Sequence, residues 1–214
     1  MPKDTLQIDE PFVDMYSGTR MYLLDPQKDN VNIADIARAL SALCCHNGSM
    51  KHFYARAQRA VMASHYAEAY HDIEHARMML FWSASDVYTG ALPYWMRQRF
   101  PEFVDISTNV NRAIFEHLNL DPDMVNFVSL RNICAAVASV EHSQLRGHIE
   151  IPMTCAVEAS DRDAYFKPVY MHVSEIYQVY VARFRELFPE FDHIVFEHEG
   201  DNISTIKARL TGLR

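Results

Sequence analysis

The chain has 214 residues, 49% hydrophobic and 22% charged, with a formal net charge of −8. That length can bury a core in one large domain, while the acidic balance argues against a broad nucleic-acid-binding face. No apolar run reaches the ~18 residues of a membrane span, and the opening MPKDTLQIDEPF lacks the apolar stretch of a signal peptide.

With only six glycines and few alternating strand patterns, the chain reads as mainly helical. In "NVNIADIARALSALCC", Ile33, Ile36, Ala37, Leu40 and Leu43 share one face behind an Asn32 N-cap. "HNGS" at 46–49 reads as a turn, followed by helices over 53–70 and 72–88. "TGALP" breaks the pattern, and Pro93 suits the first turn of a short helix ending near Phe100. Val110, Ile114 and Leu118 mark a helix over 102–119, and "LDPD" opens a longer one over 123–145. Residues 147–168 read as a loop, and 169–188 as an amphipathic helix carrying Val173, Ile176, Tyr177, Tyr180, Phe184 and Leu187. The aromatic stripe of that last helix suits the core better than an interface. Beyond Pro189 come a strand-like "HIVFEH" and a small helix at 203–210, so the expected division is a helical domain over 1–188 and an extension over 189–214.

Cys44, Cys45, Cys134 and Cys155 show no CxxC spacing and read as reduced, mostly buried thiols of a cytoplasmic protein. His71 and His75 stand four apart beside Asp72 and Glu74, a weak metal signal that lacks a third ligand. The bland reading is a solvated helix turn.

A larger pattern lies in "MYSGTRMYLLDPQKDNVNIADIARALSALCCHNGSMKHFYARAQRAVMA" and "MLFWSASDVYTGALPYWMRQRFPEF". These stretches resemble a phage and bacterial branch of the HD-domain phosphohydrolases, related to 5′-deoxynucleotidases and dATP triphosphohydrolases. Gly48, Tyr54, Tyr88, Gly90 and Pro93 recur in the family's order, and the likeness runs from about Met15 to Leu145, with the last helix also similar. The resemblance implies an all-α HD-domain helical bundle in which a His, an adjacent His-Asp and a later Asp hold one divalent metal. That ion would polarise a phosphoryl oxygen and activate water.

The metal set is missing here. The family's first His falls on Arg59 in "AQRA", its His-Asp on Trp82 and Ser83, and its later Asp on Asn132 in "VSLRN". Ala91 replaces a carboxylate, Cys45 and Ser49 replace a nearby Arg and His, and only the acid one turn after the His-Asp persists, as Asp86. A site without a metal is better off losing facing carboxylates, whose repulsion and desolvation would be costly. No catalytic residue, metal or cofactor is therefore expected.

Arg59 reads either as a structural ion pair with Asp86 or as a phosphate-binding fork. Trp82 reads as core filler or as a stacking platform. Asn132 reads as a hydrogen-bonded core residue, and Arg20, in "SGTR", matches an Arg that lies near the nucleotide in the family. The expected function is that of a pseudoenzyme acting by binding. Its ligand would be a nucleotide or phosphate compound held by Arg20, Arg59, Trp82 and Asp86 in the old pocket, or a host or cognate protein on the surface. A phage origin and a homo-oligomer follow from the resemblance alone. The rival reading is an active, metal-dependent nucleotide phosphohydrolase with a rearranged site.

Overall fold

The structure is a computed structural model that describes residues 10–50, 52–124, 127–141 and 171–196. The chain is mostly helical. It opens with a short antiparallel hairpin that the sequence reading did not anticipate, β1 (Phe12–Asp14) against β2 (Arg20–Tyr22). Helix α1 (Ile33–Ala42) begins where expected, because the Asn32 side chain accepts the backbone N–H groups of Ala34 and Asp35. Asn32→Ala should therefore cost about 1 kcal/mol, read as a lowered thermal midpoint.

Helix α2 (Arg56–Tyr70) starts three residues later than the pattern suggests. The segment before it is committed elsewhere: Cys45 N–H bonds to the Tyr54 carbonyl, and Arg56 N–H to the Leu43 carbonyl. Between these bonds the chain turns at Cys45–Gly48, with His46, Asn47 and Gly48 all at positive φ. Two non-glycine residues in left-handed backbone mark a turn held by its surroundings.

The helix expected over 72–88 is two helices, α3 (Ile73–Phe81) and α4 (Asp86–Thr89). Between them the backbone tightens: Ala84 N–H bonds to Phe81 O, and Asp86 N–H to Ser83 O, three residues back rather than four. Asn111 clamps this turn by accepting the Ser85 N–H and donating to the Trp82 carbonyl. Helix α5 (Tyr94–Arg97) follows Pro93, and α6 (Pro101–His117) follows in turn. Of the long helix expected over 123–145, the described residues form a single 3-10 turn at Pro122–Met124 and α7 (Phe127–Glu141), and 142–145 lie outside them. Helix α8 (Val173–Leu187) completes the described helices.

Helices α2 and α3 fold back on each other, and α1 and α2 both pack on α8. The last helix buries most of its expected stripe: Ile176, Tyr180, Phe184 and Leu187 are buried, Tyr177 is half-buried and Val173 exposed, and Phe188 just past its end is buried too. Arg183, on the same helix, is buried too and donates to Ser64 Oγ at 2.9 Å and Glu68 at 2.7 Å. After Pro189 the chain stays on the bundle, with Phe191 and Phe196 buried against it and Arg185 bonding two carbonyls there. Residues 192–196 form no strand, which corrects the reading of "HIVFEH" over its described part. The expected loop at 147–168 and helix at 203–210 lie outside the described residues. No helix among the described residues is long and apolar enough to cross a membrane.

Candidate functional site

Helices α2, α5, α6 and α7, with the 82–85 turn, enclose a cleft of about 1340 Å³. Arg56 and Arg59 reach it from one face of α2, three residues apart, and Arg97 reaches it from α5. Trp82, Ser83 and Asp86 come from the turn and the start of α4. From α7 come Leu130, Cys134 and Val137.

Asp86 is buried and carries two ion pairs, to Arg56 Nη1 at 2.7 Å and to Arg97 Nη2 at 2.9 Å. The sequence reading gave Asp86 to Arg59, and that pairing is corrected. Arg59 instead faces Glu141, its Nε 3.4 Å from Oε1, a loose ion pair rather than a hydrogen bond. Glu141 is fully buried, and its other oxygen accepts from His46 Nε2 at 2.9 Å. Burial pushes the Asp86 carboxyl above the ordinary range, against the pull of Arg56 and Arg97. Burial works the same way on Glu141, but the Arg59 guanidinium, with His46 and Tyr54, outweighs it and holds that carboxyl below the ordinary range. Burial raises the Cys45 thiol to about 12 and the Cys134 thiol to about 11, so both stay neutral.

Two expected site residues lie elsewhere. Arg20 is exposed on the hairpin, where it forks onto Asp14 at 2.7 and 3.1 Å and stacks over Phe12 at 3.7 Å, so it does not line the cleft. Asn132 is exposed rather than a core residue, because the buried stripe of α7 runs through Leu130, Ile133 and Val137. The side chains that α7 presents near Arg59 are Cys134, two residues on, and Glu141. Trp82 is half-buried against the core and lines the cleft.

Sequence reasoning missed Arg56, Arg97, His46 and Glu141. The last was findable, since Glu141 extends the Leu130–Cys134–Val137 stripe at helical spacing and is the one acid on it.

The donor set does not suit the metal that the resemblance implies. Arg59 and Trp82 cannot ligate, and among the described residues no three His, Cys, Asp or Glu form a group able to hold an ion. The literal His71-Asp72 has a local role. Asp72 caps α3, accepting from His75 N–H at 2.8 Å and Nδ1 at 2.7 Å, while the rings of His71 and His75 stack at 4.9 Å. Cys44, Cys45 and Cys134 are free thiols, and Cys155 lies outside the described residues.

No family model matches this chain. The chain is similar to a protein of Escherichia coli (strain K12) described as "Uncharacterized protein YfdR". The two are 24% identical over 176 residues, which span 82% of this chain and 95% of that protein.

Proposed function

We propose that the chain is a catalytically inactive relative of the HD-domain phosphohydrolases that works by binding, and that its cleft takes a phosphate-bearing ligand of nucleotide size. The observation that carries this reading is the charge balance of the cleft's inner face. Three guanidinium groups, Arg56, Arg59 and Arg97, meet two carboxylates, Asp86 and Glu141, which leaves one positive charge in excess. Arg59 is the most loosely held of the three, and its fork suits phosphate oxygens without a metal.

The volume of about 1340 Å³ accommodates a whole nucleotide, and Trp82 lines its wall. Loss of hydrolysis fits Arg59, Trp82 and Ser83 standing where the resemblance expects ligands. The acids Glu116, Asp121 and Asp123 line the cleft from the end of α6 onward, beside one further guanidinium, Arg112 of α6, so the excess of positive charge belongs to the inner face alone.

Calorimetry against nucleoside mono-, di- and triphosphates tests the reading. Binding should be seen, and Arg59→Ala should weaken it about 10- to 100-fold, the worth of one or two charge-assisted hydrogen bonds. A panel with no binding would reject the anion site. Release of phosphate or triphosphate in the presence of Mn, Co or Mg would reject the inactive assignment in favour of a rearranged enzyme.

A further inference from the structure

We infer that the ligand of this cleft is an amphiphile, a phosphate monoester with one anionic head and an apolar body, and that the body lies in an enclosed arm between α2 and α7; the inference rests on the anion site proposed above. The arm is built from the same helices that surround the guanidinium groups. On α2, Arg56 and Arg59 share a face with Ala60 and Ala63, and all four line the cleft. The charge stops at Arg59, and the next turn of that face carries only methyl groups. On α7 the lining residues Leu130, Cys134 and Val137 form a second stripe. Glu141, at the end of that stripe, faces Arg59 at 3.4 Å, so the end of α7 meets the start of α2. The two apolar stripes recede from that meeting point together.

The stripe from Leu130 to Glu141 spans about 16 Å of helix axis, which sets the length of the arm. Met79 of α3 and Phe115 of α6 close its sides. These two residues, with Ala60, Ala63, Leu130 and Val137, are all buried, so the arm is enclosed rather than an open groove. Alanines on the α2 side leave room that a larger side chain would fill, and the flexible thioether of Met79 adapts to what lies against it. Burial holds the Cys134 thiol at about 11, so it adds no charge to the wall.

The charge distribution fixes which end of the ligand is which. The excess of one positive charge stands at the Arg56, Arg59 and Arg97 end, where the head is held. At the other end, where Asp121 and Asp123 lead into α7, the exposed acids Glu116, Asp121 and Asp123 outnumber Arg112. A second anionic group would be repelled there, so the occupant carries its anion at one end only. Between the two ends, a polar body would lose its hydration against methyl, thioether and phenyl groups without regaining hydrogen bonds, a cost that an apolar body avoids.

The probes are inorganic phosphate and butyl, hexyl and octyl phosphate, titrated by calorimetry below the concentrations at which they form micelles, with glycerol phosphate as the polar-bodied control. Affinity should rise about fourfold for each methylene that enters the arm. Glycerol phosphate should bind more weakly than butyl phosphate. Ala63→Leu fills the arm, so the ratio of octyl to butyl affinity should fall about tenfold or more; reading the ratio cancels any general loss of binding. Ala60→Val is a smaller insertion into the same wall, should lower the ratio in the same direction, and serves if Ala63→Leu does not fold. Equal affinities across the series, or glycerol phosphate matching butyl phosphate, would overturn the inference and leave the anion site standing. A chain-length slope unchanged in the arm variants would overturn it as well and place the alkyl chain elsewhere. No binding of any phosphate ester or nucleotide would reject the site itself, and this inference with it.

Discussion

Glu141→Ala should destabilise the fold by about 3–5 kcal/mol, the range for breaking a buried ion pair by removing one partner. The carboxylate is fully buried, and Arg59 and His46 both depend on it. Its removal leaves the Arg59 guanidinium uncompensated in a mostly apolar wall and opens a void beside Tyr54 and Cys45. Glu141→Gln keeps the volume and should cost less. The pH dependence separates charge from packing. The folded-state pKa of Glu141 lies below its ordinary 4.5, so its charge stabilises the fold above that pH. The contribution is lost as pH falls through the lowered folded-state value. Urea titrations across this acid range should show a loss in the wild type that is smaller in Glu141→Gln, and an equal loss in both would refute the assignment.

The same residues show how far the sequence could be read. Helix α1 with its Asn32 cap and the buried face of α8 follow from 3.6-residue periodicity, because those elements bury one stripe and cap themselves locally. The break inside the expected 72–88 helix is not local. It depends on Asn111, 26 residues beyond Ser85, reaching back to clamp the turn. Nothing in the spacing of "FWSASDVY" reports a partner that distant. The partner of Asp86 was misread for a related reason, since Arg56, Arg59 and Arg97 are equivalent as charges and only packing decides which of them reaches the carboxylate.

Asn132 is a different kind of miss. The resemblance selected a position by matching letters, while the apolar stripe of α7 already pointed its inward face at Cys134 and Glu141. On a helix, two residues of offset is more than half a turn, enough to carry a side chain from the cleft to solvent. Periodicity was the stronger guide there. Arg20 shows the reverse limit: its place on a two-stranded hairpin, forked onto Asp14, comes from a pairing too short to leave a periodic signal.

Phe81→Ala should cost about 3–5 kcal/mol and should also weaken anion binding, although Phe81 does not line the cleft. The ring is fully buried at the end of α3 and meets Tyr180, Phe184 and Phe188 edge-on, with centroids 6.1, 5.9 and 5.7 Å away. Edge-to-face contacts of this kind add to area burial, so truncation removes both terms and leaves a ring-sized cavity. The next residue is Trp82, and the Phe81 carbonyl accepts the Ala84 N–H that starts the tight turn into Asp86. The aromatic cluster on α8 is thus the anchor from which the Trp82–Asp86 wall of the cleft is hung. Once the anchor is loosened, Asp86 no longer holds Arg56 and Arg97 in register, and the guanidinium array loses its preorganisation. Phe81→Leu, which keeps most of the volume, should recover much of the stability and the affinity together. Thermal unfolding and nucleotide calorimetry on both variants decide the point. A Phe81→Ala protein that loses stability yet binds with wild-type affinity would show that the cleft wall is held from α6, by Asn111 and Ser107, without the aromatic anchor.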